Sequence, residues 1–282
     1  MATYREIHHE AKKMARKKGK EVSGVDLLLL HFSGLNATEL YLRYEDDFEI
    51  NALTDFYSGL EQYLNHNKPI QQIIGYVYFY GYQFLVKNTA LIPRFETEEL
   101  VANLLSLYDE YFNGKDVEVL DIGTGSGCLA IALAKEESKM ILTATDISYE
   151  ALTLAKENAS NLNAKVNFYQ GDLFEPVQGK RYDILVSNPP YIPNNEEVDP
   201  LIYDNEPHLA LFGGEDGLDF YRRILKESKH YLKDQAIIAF EHGFDKKIEI
   251  HQIAKLYFPD AYVFTLQDMQ KKDRMTFIII GF

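Results

Sequence analysis

One run constrains the fold of this chain more than any other. It is Val117-Glu118-Val119-Leu120, then Asp121-Ile122-Gly123-Thr124-Gly125-Ser126-Gly127, then the apolar stretch Cys128 to Ala134. A short buried strand that feeds a glycine loop and then a helix is the first unit of a doubly wound α/β sheet. The glycines are spaced G-x-G-x-G, whereas the dinucleotide fingerprint is G-x-G-x-x-G. An acid also stands two residues before the first glycine. A pyrophosphate favours a helix N-terminus clear of carboxylates, and Asp121 instead attracts a cation. The loop therefore fits a ligand that carries an ammonium group and no phosphate.

Two further acids fall at the ends of apolar runs. Met140 to Thr145 ends at Asp146, where an acid after the second strand is placed to take the two hydroxyls of a ribose. Val166 to Tyr169 ends at Gly171-Asp172-Leu173-Phe174. Asp172 is placed to accept from an adenine amine, with Leu173 or Ile147 packing on the ring. Adenine, ribose and an amino-acid ammonium on one ligand describe S-adenosyl-L-methionine. Asp121, Gly123, Thr124, Gly125, Ser126, Gly127, Asp146, Ile147, Asp172 and Leu173 are the expected cofactor residues, with Asn188 at the reacting end.

The apolar run Ile184-Leu185-Val186 leads into Asn188-Pro189-Pro190-Tyr191. Each proline fixes φ near −65° and removes a backbone donor. Asn188 and Pro189 both precede a proline, which disfavours the helical region for them. The result is a stiff, acceptor-rich stub at the carboxyl end of a strand. The Asn188 side-chain carbonyl and the Pro189 main-chain carbonyl can take both hydrogens of a planar amino group while Tyr191 offers a flat face to its plane.

A class I S-adenosylmethionine methyltransferase core with this stub after its fourth strand resembles the amino-group methyltransferases. More narrowly, the chain resembles the peptide chain release factor glutamine N5-methyltransferases, the PrmC/HemK family. Pro69 through Gly81 and Phe84 is similar to that family's hairpin segment, and Leu91-Ile92-Pro93-Arg94-Phe95-Glu96-Thr97-Glu98 to its I-P-R-P-[DE]-T-E. Glu206-Pro207, Ala210 to Gly214 and Asp216-Gly217-Leu218 match its long loop after the stub, and Glu241-His242-Gly243 also agrees. There are departures. Phe95 replaces a proline, Leu173 stands where a tryptophan is common, and Lys271 replaces the glycine of D-x-x-G-x-x-R between Asp268 and Arg274.

The resemblance implies a Rossmann-like, mostly parallel seven-stranded sheet with an antiparallel last strand. It implies a helical substrate-docking domain over residues 1–70, a β-hairpin linker over 71–90 and a methyltransferase domain over 91–282. It also implies methyl transfer to the glutamine of the Gly-Gly-Gln loop in class I release factors. Asn188, Pro189 and Tyr191 are the expected catalytic residues. Pro190, Arg94 and Glu96 join them in holding the substrate, and Glu241 is a lesser candidate for ordering the site.

Local patterns fill in the N-terminal region. Ile7, Ala11, Met14 and Ala15 share a helical face. Ser23 to Asp26 has capping-box spacing before Leu27, and Asn36 with Glu39 repeats it before Leu40. A stretch after Thr54 carries Phe56, Tyr57, Leu60 and Leu64 and is stopped by Pro69. A hairpin is expected from Ile73 to Val86, turning near Tyr80-Gly81. The single cysteine, Cys128, is expected inside a buried helix. It excludes disulfides and a cysteine-based metal site and fits a reducing, cytoplasmic setting. No run has membrane-spanning length, no signal peptide is evident, and no metal is expected.

Charge separates the remaining readings. The chain carries 29 Lys+Arg against 43 Asp+Glu. From Tyr182 to Tyr221 there is no Lys or Arg, while Asp183, Glu196, Glu197, Asp199, Asp204, Glu206, Glu215, Asp216 and Asp219 all fall there. A nucleic-acid methyltransferase needs cations at its mouth to neutralise phosphates. A stretch like this attracts a basic polypeptide instead. An adenine-N6 methyltransferase on RNA or DNA is the alternative, since adenine also presents a planar amino group.

Overall fold

The computed structural model describes residues 2–282, which form two compact units. The first takes in the residues up to Tyr76 together with Val198–Asn205. Its helices are α1 (Tyr4–Lys17), α2 (Val22–Ser33), α3 (Ala37–Leu42), α4 (Ile50–Asn65) and α5 (Ile70–Ile74). Thr3 with Glu6 and Asn36 with Glu39 form capping boxes that start α1 and α3. Ile7, Ala11 and Ala15 pack with Val25, Leu28, Phe56 and Leu60 in one apolar core.

Ile7, Ala11, Met14 and Ala15 all fall in α1, with Met14 exposed at the edge of the face. Three local expectations fail here. Ser23 caps nothing: α2 already begins at Val22, and Asp26 pairs with His8 and Lys12. α4 starts at Ile50, not after Thr54. Pro69 stands at the N-cap of α5 as well as beyond the end of α4. Proline is tolerated at the start of a helix because no intrahelical donor is needed there. The hairpin is therefore shorter than expected, with β1 (Tyr76–Phe79) and β2 (Tyr82–Leu85). It does turn on Tyr80-Gly81, both at positive φ.

The second unit comprises Val77–Glu197 and Glu206–Phe282. After the hairpin come α6 (Phe95–Phe112), β3 (Val117–Ile122), α7 (Cys128–Glu136), β4 (Met140–Asp146), α8 (Tyr149–Asn161), β5 (Val166–Gln170) and β6 (Tyr182–Ser187). The short α9 (Pro200–Tyr203) belongs to the first unit. Then follow α10 (Asp219–Ser228), β7 (Leu232–Glu241), α11 (Lys247–Tyr257), β8 (Tyr262–Gln267) and β9 (Asp273–Ile280). Seven strands form one sheet in the order β5-β4-β3-β6-β7-β9-β8. The pairs from β5 to β7 are parallel, and β9 runs antiparallel to both neighbours. This is the mostly parallel seven-stranded sheet expected from the sequence.

The strand sequences explain why the sheet is covered on both faces. Successive side chains point to opposite sides, and both sets are apolar. Val119, Ile184, Val186, Ile237 and Ala239 pack with Leu100, Leu104 and Ala130 of α6 and α7. Their neighbours Leu120, Leu185, Ile238 and Phe240 pack with Tyr221, Ile224, Ile250 and Ala254 of α10 and α11. Continuous apolar strands of this kind are the signature of a doubly covered parallel sheet. The chain leaves β3 toward β4 and β5 and then returns to place β6 on the other side of β3. Ligands bind in the crevice beyond the strand ends at such a switch point. No helix among the described residues is long and apolar enough to cross a membrane.

Candidate active site

The carboxyl ends of β3 and β6 flank a cavity of about 280 Å³. The Ser187 hydroxyl ties the two ends together by donating to the Ile122 carbonyl at 2.6 Å. Gly123, Gly125 and Gly127 all take positive φ, which lets the loop fold back tightly before α7. The Gly123 and Thr124 amides donate to the Thr145 carbonyl at 2.9 and 3.0 Å, which anchors the loop on β4. The Gly125 amide donates to Asp146 Oδ2 at 2.8 Å, and Asp146 Oδ1 accepts from the Ser148 amide at 2.9 Å. The Asp146 carboxylate is thus fixed at the cavity wall, with burial raising its pKa.

Asp121 lies one layer below that wall. Its side chain is wholly buried and does not line the cavity. Oδ2 accepts from the Thr124 hydroxyl at 2.6 Å, while Oδ1 has no hydrogen-bond partner. Burial pushes its pKa up to about 7 against the pull of the Thr124 bond. A buried carboxylate oxygen without a donor is costly unless something supplies one. Thr89 Oγ1 and Thr145 Oγ1, both on residues of the wall, are also buried without partners. The two hydroxyls can accept from an ammonium on the cavity side while the Asp121 charge behind them favours it.

At the far side, Ile147, Asp172 and Leu173 all line the cavity. Leu173 is buried at positive φ, and Asp172 is ion-paired through Oδ2 with Arg223. Cys128 is the first residue of the buried helix α7, as expected, but it is partly exposed and on the wall. Burial of its thiol raises the pKa to about 12.

Asn188, Pro189 and Pro190 also line the cavity. The Asn188 Nδ2 donates to Thr97 Oγ1 at 3.3 Å, which turns the amide inward on that side. The loop after the stub is zipped onto it. Ile192 N donates to Leu211 O at 3.0 Å, and Gly213 N donates to Ile192 O at 2.9 Å. A Cβ at Gly213 would sit 2.3 Å from the Pro190 carbonyl oxygen, so no side chain fits there. Tyr191 does not line the cavity; it packs toward the α10 face, beside Gly243. Burial raises its phenol to about 12, with Glu241 nearby adding to the effect.

Arg94 is on the wall, but Glu96 is not; Glu96 accepts from Gln270 Nε2 at 3.4 Å. Arg94 pairs with Glu206, whose side chain is 1% exposed and also accepts from the Ile92 amide at 2.9 Å. This pair clamps the loop after the stub to the segment before α6. Arg94 keeps a third of its side chain in solvent, but the buried Ile92 amide would lose its acceptor, so Glu206→Ala should lower stability by about 1–3 kcal/mol. A drop in the urea midpoint would report it; an unchanged midpoint would show that the clamp contributes nothing.

Sequence reasoning missed several wall residues. Thr89, Ala90, Leu209, Phe220 and Arg223 carry no local signal for a site, since only the tertiary fold brings them there. Arg94 and Arg223 also put two cations on the wall despite the cation-free stretch from Tyr182 to Tyr221, each held by an acid.

Comparisons with known proteins bear on the family and the fold. The Methyltransferase small domain family matches residues 99–209. A release factor glutamine methyltransferase of Bacillus cereus is 38% identical over 271 residues, 95% of each chain. One of Bacillus subtilis is 40% identical over 262 residues, covering 91% of this chain and 90% of that one. A methyltransferase structure from Pyrococcus furiosus superposes with a TM-score of 0.52 at 17% identity, covering 82% of this chain and 98% of that one, which bears on the fold alone.

Proposed function

The chain belongs to the release factor glutamine methyltransferases, and on that premise we propose that it methylates the side-chain amide nitrogen, N5, of the glutamine in the Gly-Gly-Gln loop of class I release factors. The methyl donor is S-adenosyl-L-methionine. The observation that carries the reading is the stub: Asn188 and Pro189 line the cavity, and Asn188 Nδ2 is engaged by Thr97, which leaves Asn188 Oδ1 to accept.

Bound S-adenosyl-L-methionine supplies the methyl group on a sulfonium, already activated as an electrophile. The task left to the chain is alignment, because an amide nitrogen is a poor nucleophile and gains most from being held in line. Asn188 Oδ1 and the Pro189 carbonyl each accept one amide hydrogen of the glutamine. Positive charge grows on that nitrogen as it reacts, so both acceptors bind the transition state more tightly than the ground state. Pro190 stiffens the stub, while Tyr191 packs behind it beside Gly243 and props it from outside the cavity. The methylated nitrogen is acidic enough to lose its proton to water, so no strong general base is required. Asp146 would take the ribose hydroxyls and Asp172 Oδ1 an adenine amine, with Ile147 and Leu173 on the ring, and Asp121 would draw the ammonium by its charge from behind the wall.

The helical unit up to Tyr76 docks the release factor, and the exposed acids Glu196, Glu197 and Glu215 suit a basic partner. A substrate that works in translation puts the reaction in the cytoplasm. The test is mass spectrometry of a purified class I release factor after incubation with the protein and S-adenosyl-L-methionine. One methyl on the Gly-Gly-Gln glutamine is expected. An unmodified release factor alongside methylated adenine in RNA or DNA would overturn the proposal in favour of the adenine reading.

A further inference from the structure

Glu241 has no part in the scheme above, yet it sits against the reacting end. It is the last residue of β7, its side chain is buried, and Oε2 has no hydrogen-bond partner. In the parallel β6–β7 register Ser187 lies opposite Phe240, so the next pair along is Asn188 and Glu241. Thr97 and Asn188 both pull its pKa down, which puts their polar hydrogens toward the carboxylate, and Thr97 accepts from Asn188 Nδ2 at 3.3 Å. These three side chains come from α6, β7 and the stub, and all three are buried or half-buried.

An asparagine amide has two ends of nearly equal size and opposite hydrogen-bonding character. Rotation by half a turn would present Nδ2 to the substrate, where it would face another N–H and repel it. Something must fix the orientation, and the stub itself offers nothing that does. An ionised carboxylate is acceptor-only. Placed beside Asn188, it tolerates only the end that donates. The Thr97 hydroxyl can donate to Glu241 and still accept from Asn188, so it relays the same preference.

We propose that Glu241 is a positioning residue that holds the Asn188 amide with Nδ2 inward and Oδ1 toward the substrate nitrogen. The inference rests on the assignment of Asn188 as substrate acceptor and extends it to the group that orients it.

Protonation of Glu241 would undo the arrangement, because a carboxylic acid can donate as well as accept. Burial raises the Glu241 pKa to about 7, opposed by the bonds from Thr97 and Asn188 and by Arg274, while Glu96 adds to the rise. The other ionisable groups facing it are Tyr191, Cys128 and Tyr221, each affected by its charge. Burial pushes all three upward, away from neutral pH; Asp121 also rises to about 7 on the cofactor side, so a transition near pH 7 that Glu241→Gln removes belongs to Glu241.

The test compares the wild-type chain with Glu241→Gln, a near-isosteric change whose amide donor can stabilise the flipped Asn188. Losing one oriented hydrogen bond should cost about tenfold in the single-turnover rate on the release factor. Cofactor affinity by calorimetry and the thermal midpoint should hold. The wild-type rate should rise with pH through about 7, and the variant should lose that rise. In addition, the Asn188 side-chain amide resonances, identified by their loss in Asn188→Ala, should shift over the same pH range in the wild type and not in Glu241→Gln. That readout needs no turnover, so it decides the inference even if the release factor proves not to be the substrate. Asn188 resonances insensitive to pH, or an unchanged variant rate, would overturn the positioning role.

Discussion

Asn188→Ala should lower the methylation rate of a release factor by about a thousandfold, the upper end of what one preorganised hydrogen-bonding group contributes to a transition state. The effect should fall on the chemical step. Asn188 is bonded to Thr97, whereas Asp146 is held separately by the Gly125 and Ser148 amides. Loss of the Asn188 side chain removes an acceptor for the substrate nitrogen but leaves the bonds to Asp146 as they were. Cofactor affinity should therefore change little. The cost to stability should also be small, since among the described residues the Asn188 side chain hydrogen-bonds to Thr97 at 3.3 Å. Single-turnover kinetics with a labelled methyl donor, read beside a calorimetric titration, separate the two effects. If cofactor affinity fell as far as the rate, Asn188 would be a cofactor residue and the division of roles between stub and glycine loop would be wrong.

The parts of this site that can be read from sequence are those whose chemistry is written in consecutive residues. Asp121 to Gly127 needs glycines where the backbone turns left, and Asn188-Pro189-Pro190 stiffens itself. Asp146 and Asp172 are legible because they fall at the ends of apolar runs. The strands can be read because both faces of the sheet are covered, which makes Val119-Leu120 and Ile184-Leu185-Val186 apolar without a break.

Long-range pairing is not legible. Arg94 meets Glu206 across 112 positions, and Glu241 meets Asn188 only because β7 lies beside β6. Short-range signals fail where two of them compete. Ser23 has the spacing of a cap, but Asp26 is drawn to His8 and Lys12 and α2 starts upstream. Lys271 departs from the family glycine yet holds the glycine's geometry at φ 65, because Asp268 pins the turn by accepting from the Lys272 amide at 3.0 Å. The turn survives the substitution at a cost in strain.

Asp121→Asn should separate binding from stability with opposite signs. In the wild type, burial raises the folded-state pKa of Asp121 to about 7 from the ordinary value of 3.8. Folding in the absence of ligand therefore takes up a proton between those values. The stabilisation from the protonated acid is fully present below pH 4 or so and is lost as pH rises through about 7. Glu241, raised in the same direction, adds to the trend. At pH 8 the ligand-free wild type thus carries a buried charge whose Oδ1 finds no donor. A neutral amide of the same shape removes that charge and can still accept from Thr124, so the variant should be more stable there by about 2–4 kcal/mol. Its thermal midpoint should depend less on pH.

Cofactor binding should move the other way. An ammonium brought near Oδ1 favours the ionised acid, so wild-type affinity should strengthen as pH rises through about 7 and binding should release a proton. Asp121→Asn should weaken affinity about tenfold or more, the loss of one charge-assisted hydrogen bond, and should release no proton. Calorimetry in two buffers of different ionisation enthalpy counts that proton directly. A variant that gained stability and kept both full affinity and proton release would show that the ammonium is held elsewhere. Asp121 would then be a structural acid whose buried charge serves only to hold Thr124 in the loop.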